Sequence, residues 1–405
     1  MVRFQVRSLI ANLAARIGSR MRQRFLFVNI VTLMARNKNR PWFVIAGGGT
    51  GGHLYPGLAV AHALVQLEPK FEVSVFGTTR PIDQQLTGPR GYELIQQEVR
   101  AFPRSPLEWP KFLLTWRRSL DRVRRIFAER PPAIVLGLGG YAAGPPVTVA
   151  AKQGLPCALF NPDAIPGRAN RNLAPKVQRV FVQWDETRRE FEGAMATVTG
   201  CPIRPGFLTV TRKDAIATLK LDQDKHTLLI TGASQGAASI NAAMIELIDL
   251  FRANTEWQLI HLTGSQDFET CRDAYKDAGV DARLLSYTEQ MPLCMIAADL
   301  VISRAGASTL AEITAMGKPS ILMPYPFDKK QHQKANAEIL VKHRAAELVE
   351  DANNAQDNAH RLRPVLSSLM ESPPRRERMA KAAAALGRTD AADVIAANLL
   401  EMARF

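Results

Sequence analysis

Cysteine is scarce in this chain of 405 residues: Cys157, Cys201, Cys271 and Cys294 stand far apart with no CxxC pair. That spacing excludes a disulfide-stapled secreted framework and points to a reducing cytoplasm. Long apolar runs are missing too. The stretch Phe25 to Met34 is shorter than the about 20 residues a bilayer span needs, and no other stretch qualifies. The seven histidines form no HExxH and no paired ligand spacing, which argues against a structural or catalytic metal. No GxxxxGK[ST] occurs, so a P-loop is excluded, and no GxSxG or cysteine constellation points to hydrolysis. The one DxD, Asp222 and Asp224 around Gln223, lies in a charged run and reads as solvated surface.

Acidic residues are absent from one region in particular. Residues 1 to 40 carry nine Lys and Arg and no Asp or Glu, so the rest of the chain holds only +5 of the net +14. Three readings of this basic extension stand side by side: an amphipathic anchor on an anionic membrane surface, a targeting peptide, or translation upstream of a start at Met34. A second basic region, Phe102 to Phe127, interleaves Trp109, Leu113, Leu114 and Trp116 with Lys111, Arg117, Arg118, Arg122, Arg124 and Arg125. Such a helix suits a membrane interface, and it equally suits core packing on one side with a basic solvated face on the other.

What the chain has in quantity is a repeated rhythm of short buried strand and longer helix. Strands are expected at Trp42 to Ala46, Glu72 to Phe76 and Ala133 to Leu138, with a helix over Leu58 to Leu67. A second series begins at Thr227 to Thr231 and continues through Gln258 to Leu262, Ala282 to Ser286, Leu300 to Ser303 and Ser320 to Met323, with a helix from Ala237 to about Phe251. The rhythm predicts an α/β protein of two doubly wound, Rossmann-like domains with parallel sheets, facing one another across a cleft. The expected organisation is an extension over 1–40, a first domain over 41–208, a second over 209–387, and a helix over about 388–405 that returns to the first domain. Pro202 to Asp224 reads as the linker.

Glycine clusters at the strand ends. Gly47 to Gly49, then Thr50, Gly51, Gly52 and His53, follow a strand and open a helix, as a pyrophosphate cradle would. A dinucleotide site also wants an acid at the end of the next strand, and Gly77, Thr78 and Thr79 stand there instead. A second loop carries Gly137, Gly139, Gly140, Tyr141 and Gly144. In the second half, Gly232 to Gly236 offers amides and the Ser234 hydroxyl to an anion. Arg304 to Thr309 and Glu312 follow a strand; Gly306 would let a flat ring approach the backbone, and Glu312 would hold two ribose hydroxyls. Gln331, His332, Gln333 and Asn336 form a polar cluster suited to sugar hydroxyls, and Arg204 is a candidate to meet leaving-group charge.

Taken together and in order, these segments resemble the MurG family of GT-B glycosyltransferases, from about Phe43 to the C-terminal helix. The resemblance is carried by GGGTGGHLYPGLA (Gly47 to Ala59), GLGGYAAGP (Gly137 to Pro145), PGRANRNLA (Pro166 to Ala174), TGCPIR (Thr199 to Arg204), GASQGAASIN (Gly232 to Asn241), SRAGASTLAEITAMGKP (Ser303 to Pro319) and HQKANA (His332 to Ala337). It implies inverting transfer of N-acetylglucosamine from UDP-N-acetylglucosamine to the muramyl 4-hydroxyl of undecaprenyl-linked lipid I. It further implies a peripheral position on the cytoplasmic side of the inner membrane, an anionic membrane surface as partner, no nucleic acid, and neither cofactor nor tightly bound metal. Acceptor residues implied are Thr50, Gly51, Gly52, His53, Gly140, Tyr141 and Asn170. Donor residues implied are Arg204, Ser234, Gln235, Ala307 against the uracil, Glu312 on the ribose, His332, and Gln333 on the sugar. His53 is the candidate base.

In one place the chain departs from the family. Where the family carries a His-Glu-Gln-Asn run, this chain has Phe160, Asn161, Pro162 and Asp163, so the carboxylate expected near the acceptor is missing, and Asp163, two positions on, is the candidate for a substitute charge and a second catalytic candidate. That departure keeps two alternatives open: a related glycosyltransferase with another lipid acceptor, and a catalytically silent UDP-sugar-binding protein.

Overall fold

The computed structural model describes residues 40–100, 102–103, 105–232, 236–328 and 330–403. The basic extension, Arg40 apart, lies outside the described residues. Everything from Pro41 onward forms one compact unit built on two sheets whose strand pairs are all parallel. The first sheet contains β1 (Trp42–Ala46), β2 (Glu72–Gly77), β3 (Glu93–Gln96), β4 (Ile134–Gly137), β5 (Cys157–Asn161), β6 (Arg179–Val182) and β7 (Ala196–Val198), in the order β3-β2-β1-β4-β5-β6-β7. The second contains β8 (His226–Thr231), β9 (Trp257–Leu262), β10 (Ala282–Leu285), β11 (Leu300–Ser303), β12 (Ser320–Leu322) and β13 (Glu347–Leu348), in the order β10-β9-β8-β11-β12-β13.

Helices cover both faces of each sheet, which is why the strands read as continuous apolar runs rather than alternating ones. All five residues of β1 are buried. Phe43 and Ile45 point to one face, where α1 (Gly51–Leu67) packs Leu54, Leu58 and Leu64 against them. Trp42 and Val44 point to the other, against Val123 and Phe127. Each large side chain so buried stabilises the fold by about 1.5–3 kcal/mol. Further helices of the first half are α2 (Pro81–Thr87), α3 (Trp109–Glu129), α4 (Gly144–Lys152) and α5 (Arg168–Leu173).

In the second half the helices that matter below are α6 (Arg212–Leu219), α7 (Ala238–Glu246), α8 (Met291–Ala297), α9 (Ala307–Ala315), α10 (His332–Lys342), α11 (Pro373–Leu386) and α12 (Ala391–Ala403). The chain crosses back near Gly387, where α11 packs on α9 and α12 packs on α1. The stretch from Pro202 to Asp224, read as linker from its charge, contains α6. Thr211 and Asp214 make a reciprocal capping box, and Ala215 and Leu219, one turn apart, bury the helix beside α8. Two helix starts also differ from expectation. The helix expected from Leu58 begins at Gly51, and the single helix expected over 237–251 is two pieces that meet at Leu247.

Register decides where the site lies. Ala46 is level with Phe76 and with Gly137, while Thr231 is level with Leu262 and Ser303. Strand order reverses between β1 and β4 and between β8 and β11, so each half opens a crevice at those carboxyl ends. The loops at 47–50, 137–143, 232–236 and 304–306 leave from there.

Candidate active site

The first glycine loop is held from beneath by a carboxylate. Asp83, wholly buried at the start of α2, accepts the Gly49 N–H at 2.7 Å, the Thr78 N–H at 2.6 Å and the Thr78 hydroxyl at 2.9 Å. Arg80 donates to the Gly49 carbonyl at 3.0 Å. The position before Gly49 has to be glycine for a steric reason: a Cβ on Gly48 would lie 2.2 Å from Asp83 Oδ2. Gly49 itself stands at φ +85°. The Gly49 amide is therefore committed to the protein, and the cradle for an anion is the first turn of α1, whose N–H groups have no intrahelical partner.

His53 sits in that turn, half-buried, with Nδ1 2.8 Å from the Thr50 hydroxyl. Burial lowers its pKa, opposed by the nearby carboxylates of Asp163 and Asp83. A neutral imidazole that donates from Nδ1–H to Thr50 keeps a lone pair on Nε2, the state a general base requires. Pro56 acts on the same turn. It has no N–H to give the Gly52 carbonyl four residues back, and the Ser308 hydroxyl from α9 donates to that carbonyl at 2.9 Å. A proline inside α1 thus frees the oxygen to which the other half of the protein attaches.

The second glycine loop converges on the first. A Cβ on Gly140 would be 4.0 Å from His53 Cε1, and one on Gly49 would be 3.5 Å from the Tyr141 hydroxyl. Its far end is fixed by Gln97, which donates to the Ala142 carbonyl at 3.1 Å and accepts from Ser119 of α3. The Trp116 ring fills the space a Cβ on Gly144 would take, 2.3 Å away. Asn170 is placed under this loop rather than in the cleft: it is buried, with Nδ2 donating to the Phe160 carbonyl at 3.2 Å and to Asn161 Oδ1 at 3.0 Å.

In the opposite wall, Glu312 of α9 is buried and paired with Arg204, whose Nε and Nη2 lie 2.9 and 2.6 Å from Glu312 Oε1. Burial pushes the Glu312 carboxyl up, and Arg204 pulls it back. The guanidinium also lies 4.7 Å over the Tyr55 ring. Burial, with a hydrogen bond to Tyr287, raises the Tyr55 phenol to about 12. His332 Nδ1 is 2.9 Å from the Ile165 carbonyl in the first half, and Gln333 Oε1 accepts the Tyr325 N–H at 3.0 Å. Ser234 and Gln235 lie outside the described residues. Their loop is bounded by Gly236, at φ +75°, where a Cβ would be 2.2 Å from the Thr263 carbonyl oxygen.

One cleft of about 640 Å³ unites these elements. Thr50, Gly51, Gly52, His53, Gly140, Tyr141 and Asp163 line it from the first half, and Arg204, Ala307, Glu312, His332 and Gln333 complete its wall. Among the described residues no group of three His, Cys, Asp or Glu side chains gathers as a metal-ligand set. Sequence reasoning missed two contributors, Asp83 and Tyr55. Asp83 carried a usable signal, a carboxylate in the first turn of a helix just after the glycine-ended strand β2. Tyr55, which lines the cleft beneath Arg204, carried none, because its role arises from packing between distant segments.

Two family models match this chain: the glycosyltransferase family 28 N-terminal domain over residues 43–182 and the family 28 C-terminal domain over residues 227–395. A protein of Desulfitobacterium hafniense is 36% identical over 89% of this chain and 99% of its own length; one of Desulforamulus reducens is 34% identical over 87% and 96%. Both are named UDP-N-acetylglucosamine–N-acetylmuramyl-(pentapeptide) pyrophosphoryl-undecaprenol N-acetylglucosamine transferase. Among solved structures, MurG of Acinetobacter baumannii superposes with a TM-score of 0.68 at 23% identity, covering 89% of this chain and 99% of that one, a likeness of fold.

Proposed function

The chain belongs to glycosyltransferase family 28, and from that premise we propose that it moves N-acetylglucosamine from UDP-N-acetylglucosamine to the muramyl 4-hydroxyl of lipid I, making lipid II. The observation that carries this reading is the meeting of the two α/β halves around one cleft, with His53 on one wall and the Arg204–Glu312 pair on the other. The first half takes the acceptor and the second half takes the donor. The acceptor 4-hydroxyl attacks C1 of the sugar, the bond from C1 to the UDP oxygen breaks, and configuration at C1 inverts. His53 Nε2 receives the hydroxyl proton, and Asp163 stabilises the imidazolium that forms. The acceptor diphosphate is met by the first turn of α1 and by Tyr141. Glu312 takes the ribose, Ala307 the uracil, Gln333 and His332 the sugar, and Arg204 with the 232–236 loop the UDP diphosphate.

The same reading places the protein on the cytoplasmic face of an anionic membrane through α3. Its buried side carries Phe112, Ser119, Val123 and Phe127. Trp109, Leu113 and Leu114 are exposed among Lys111, Arg117, Arg118, Arg122, Arg124 and Arg125, next to the 91% exposed Leu107. Apolar and basic side chains on one exposed face suit a headgroup boundary. The deciding experiment incubates the purified full chain with labelled UDP-N-acetylglucosamine and lipid I. Labelled lipid II is the expected product. Donor binding without any lipid II would refute the acceptor assignment, and product on a different lipid acceptor would replace it.

A further inference from the structure

Asp163 and Asn336 are 173 residues apart, the first just beyond β5 and the second on α10, and their side chains meet across the two halves. Asn336 is wholly buried and uses both ends of its amide. Its Oδ1 accepts the Ala164 N–H at 2.7 Å. Its Nδ2 donates to Asp163 Oδ1 at 3.0 Å and to the Ala305 carbonyl at 3.2 Å. The first half fixes only the backbone of this segment: Asn161 Nδ2 donates to the Asp163 carbonyl at 2.7 Å, and the Thr187 hydroxyl donates to the Ala164 carbonyl at 3.2 Å. The orientation of the Asp163 carboxylate is set from the second half.

We propose that Asn336 is a positioning residue for the reaction: by spanning the two halves it holds the Asp163 carboxylate toward the cleft that contains His53. This rests on the reading of His53 as the base. An asparagine suits the task because it supplies a donor and an acceptor together. An aspartate there would oppose Asp163 with like charge, and an apolar residue would leave the buried Ala164 N–H unpaired. Two other links close with it, Ser308 to the Gly52 carbonyl and His332 to the Ile165 carbonyl. Proton removal from the acceptor therefore depends on a carboxylate that the two halves orient together.

The charged groups around His53 are Asp83 beneath the loop, Asp163 across the cleft, Arg80 at the loop's carbonyl, and Arg168, Arg204, Glu312 and Asp328 on the cleft wall. Losing the orientation of Asp163 should weaken proton binding at His53, the same direction as losing its charge. The test is a double-mutant cycle of Asn336→Ala and Asp163→Asn in the full chain. It is read by NMR titration of the His53 imidazole, identified by its loss in His53→Gln. Both single variants should lower the His53 pKa by about half a unit or more, with the double variant no lower than Asp163→Asn alone. Turnover of lipid I should fall about tenfold in Asn336→Ala while UDP binding stays within about twofold. Additive shifts, or an unmoved His53 in Asn336→Ala, overturn the proposal. Should Asn336→Ala fail to fold, Asn336→Ser takes its place in the cycle, with the same shift expected and an unmoved His53 again overturning the proposal. The imidazole titration does not depend on the acceptor, so a wild-type protein inactive on lipid I would defeat the functional reading separately.

Discussion

Replacing Asp83 by asparagine changes one atom beneath the first glycine loop and should cost about 3–5 kcal/mol. The carboxylate accepts three hydrogen bonds on two oxygens, from Gly49 to Oδ1 and from the Thr78 N–H and hydroxyl to Oδ2. An amide has one oxygen. If that oxygen faces Thr78, the side-chain NH2 faces the Gly49 N–H, and one buried donor loses its partner at about 1–3 kcal/mol. The bonds that survive lose their charge assistance, about 1 kcal/mol each. The side chain cannot move aside, because Gly48 and Gly77 leave room for this carboxylate and little else. Urea unfolding should show a lower midpoint with an unchanged slope. Asp83 is also one of the two carboxylates that support the proton on His53, so its charge loss should shift the acid limb of kcat/KM to lower pH. A stability change below about 0.5 kcal/mol together with an unmoved acid limb would refute both halves of this reasoning.

Three further outcomes are expected. Glu312→Gln removes the charge that Arg204 is paired with and one of the two acceptor oxygens meant for the ribose hydroxyls; UDP affinity by calorimetry should fall about 10- to 100-fold, with stability lowered as well because the largely buried Arg204 is left beside a neutral amide. Pro56→Ala returns an N–H to α1 and so competes with Ser308 for the Gly52 carbonyl; the melting temperature should rise or hold while lipid II formation falls several-fold, and a fall in both would argue against competition. His261 is wholly buried between Tyr275 and Asn241, and burial lowers its pKa to about 3. Below about pH 6.5 the unfolded chain takes up a proton that the folded chain refuses, so this contribution is complete above that pH and declines as pH falls. About 2 kcal/mol of urea stability should be lost from this group between pH 7 and pH 5, and His261→Gln should flatten the slope by that amount.

The fold was legible where strands are buried on both faces. Trp42–Ala46 reads directly as a strand, since five successive apolar residues before a glycine-rich turn have few other uses, and Leu300–Ser303 and Gln258 to Leu262 repeat the pattern with shorter apolar runs that also end close to a glycine. The strands β3, β5, β6, β7 and β13 did not, because segments of two to five residues that carry Glu93, Asn161, Arg179, Thr197 or Glu347 look like loop until their neighbours are known. The helix α6 was hidden by its charge. Arg212, Lys213 and Asp214 read as linker, although Thr211 three positions before Asp214 is a helix-start signal that does not depend on hydrophobicity.

The site was legible at its glycines and illegible at its supports, for a reason that lies in chemistry. Glycine at a strand end marks a place where something approaches the backbone, but the sequence cannot say whether that something is a ligand or the protein itself. Gly48 and Gly236 both looked like ligand cradles. At Gly48 the approaching group is Asp83, and at Gly236 it is the Thr263 carbonyl. Pro56 stands ahead of the helix expected from Leu58 but lies inside α1, and its consequence is a carbonyl left for Ser308 from the other half of the chain. A residue that acts by removing a bond, or by making room, leaves its effect on its neighbour, and that neighbour is known only once the two halves are folded together.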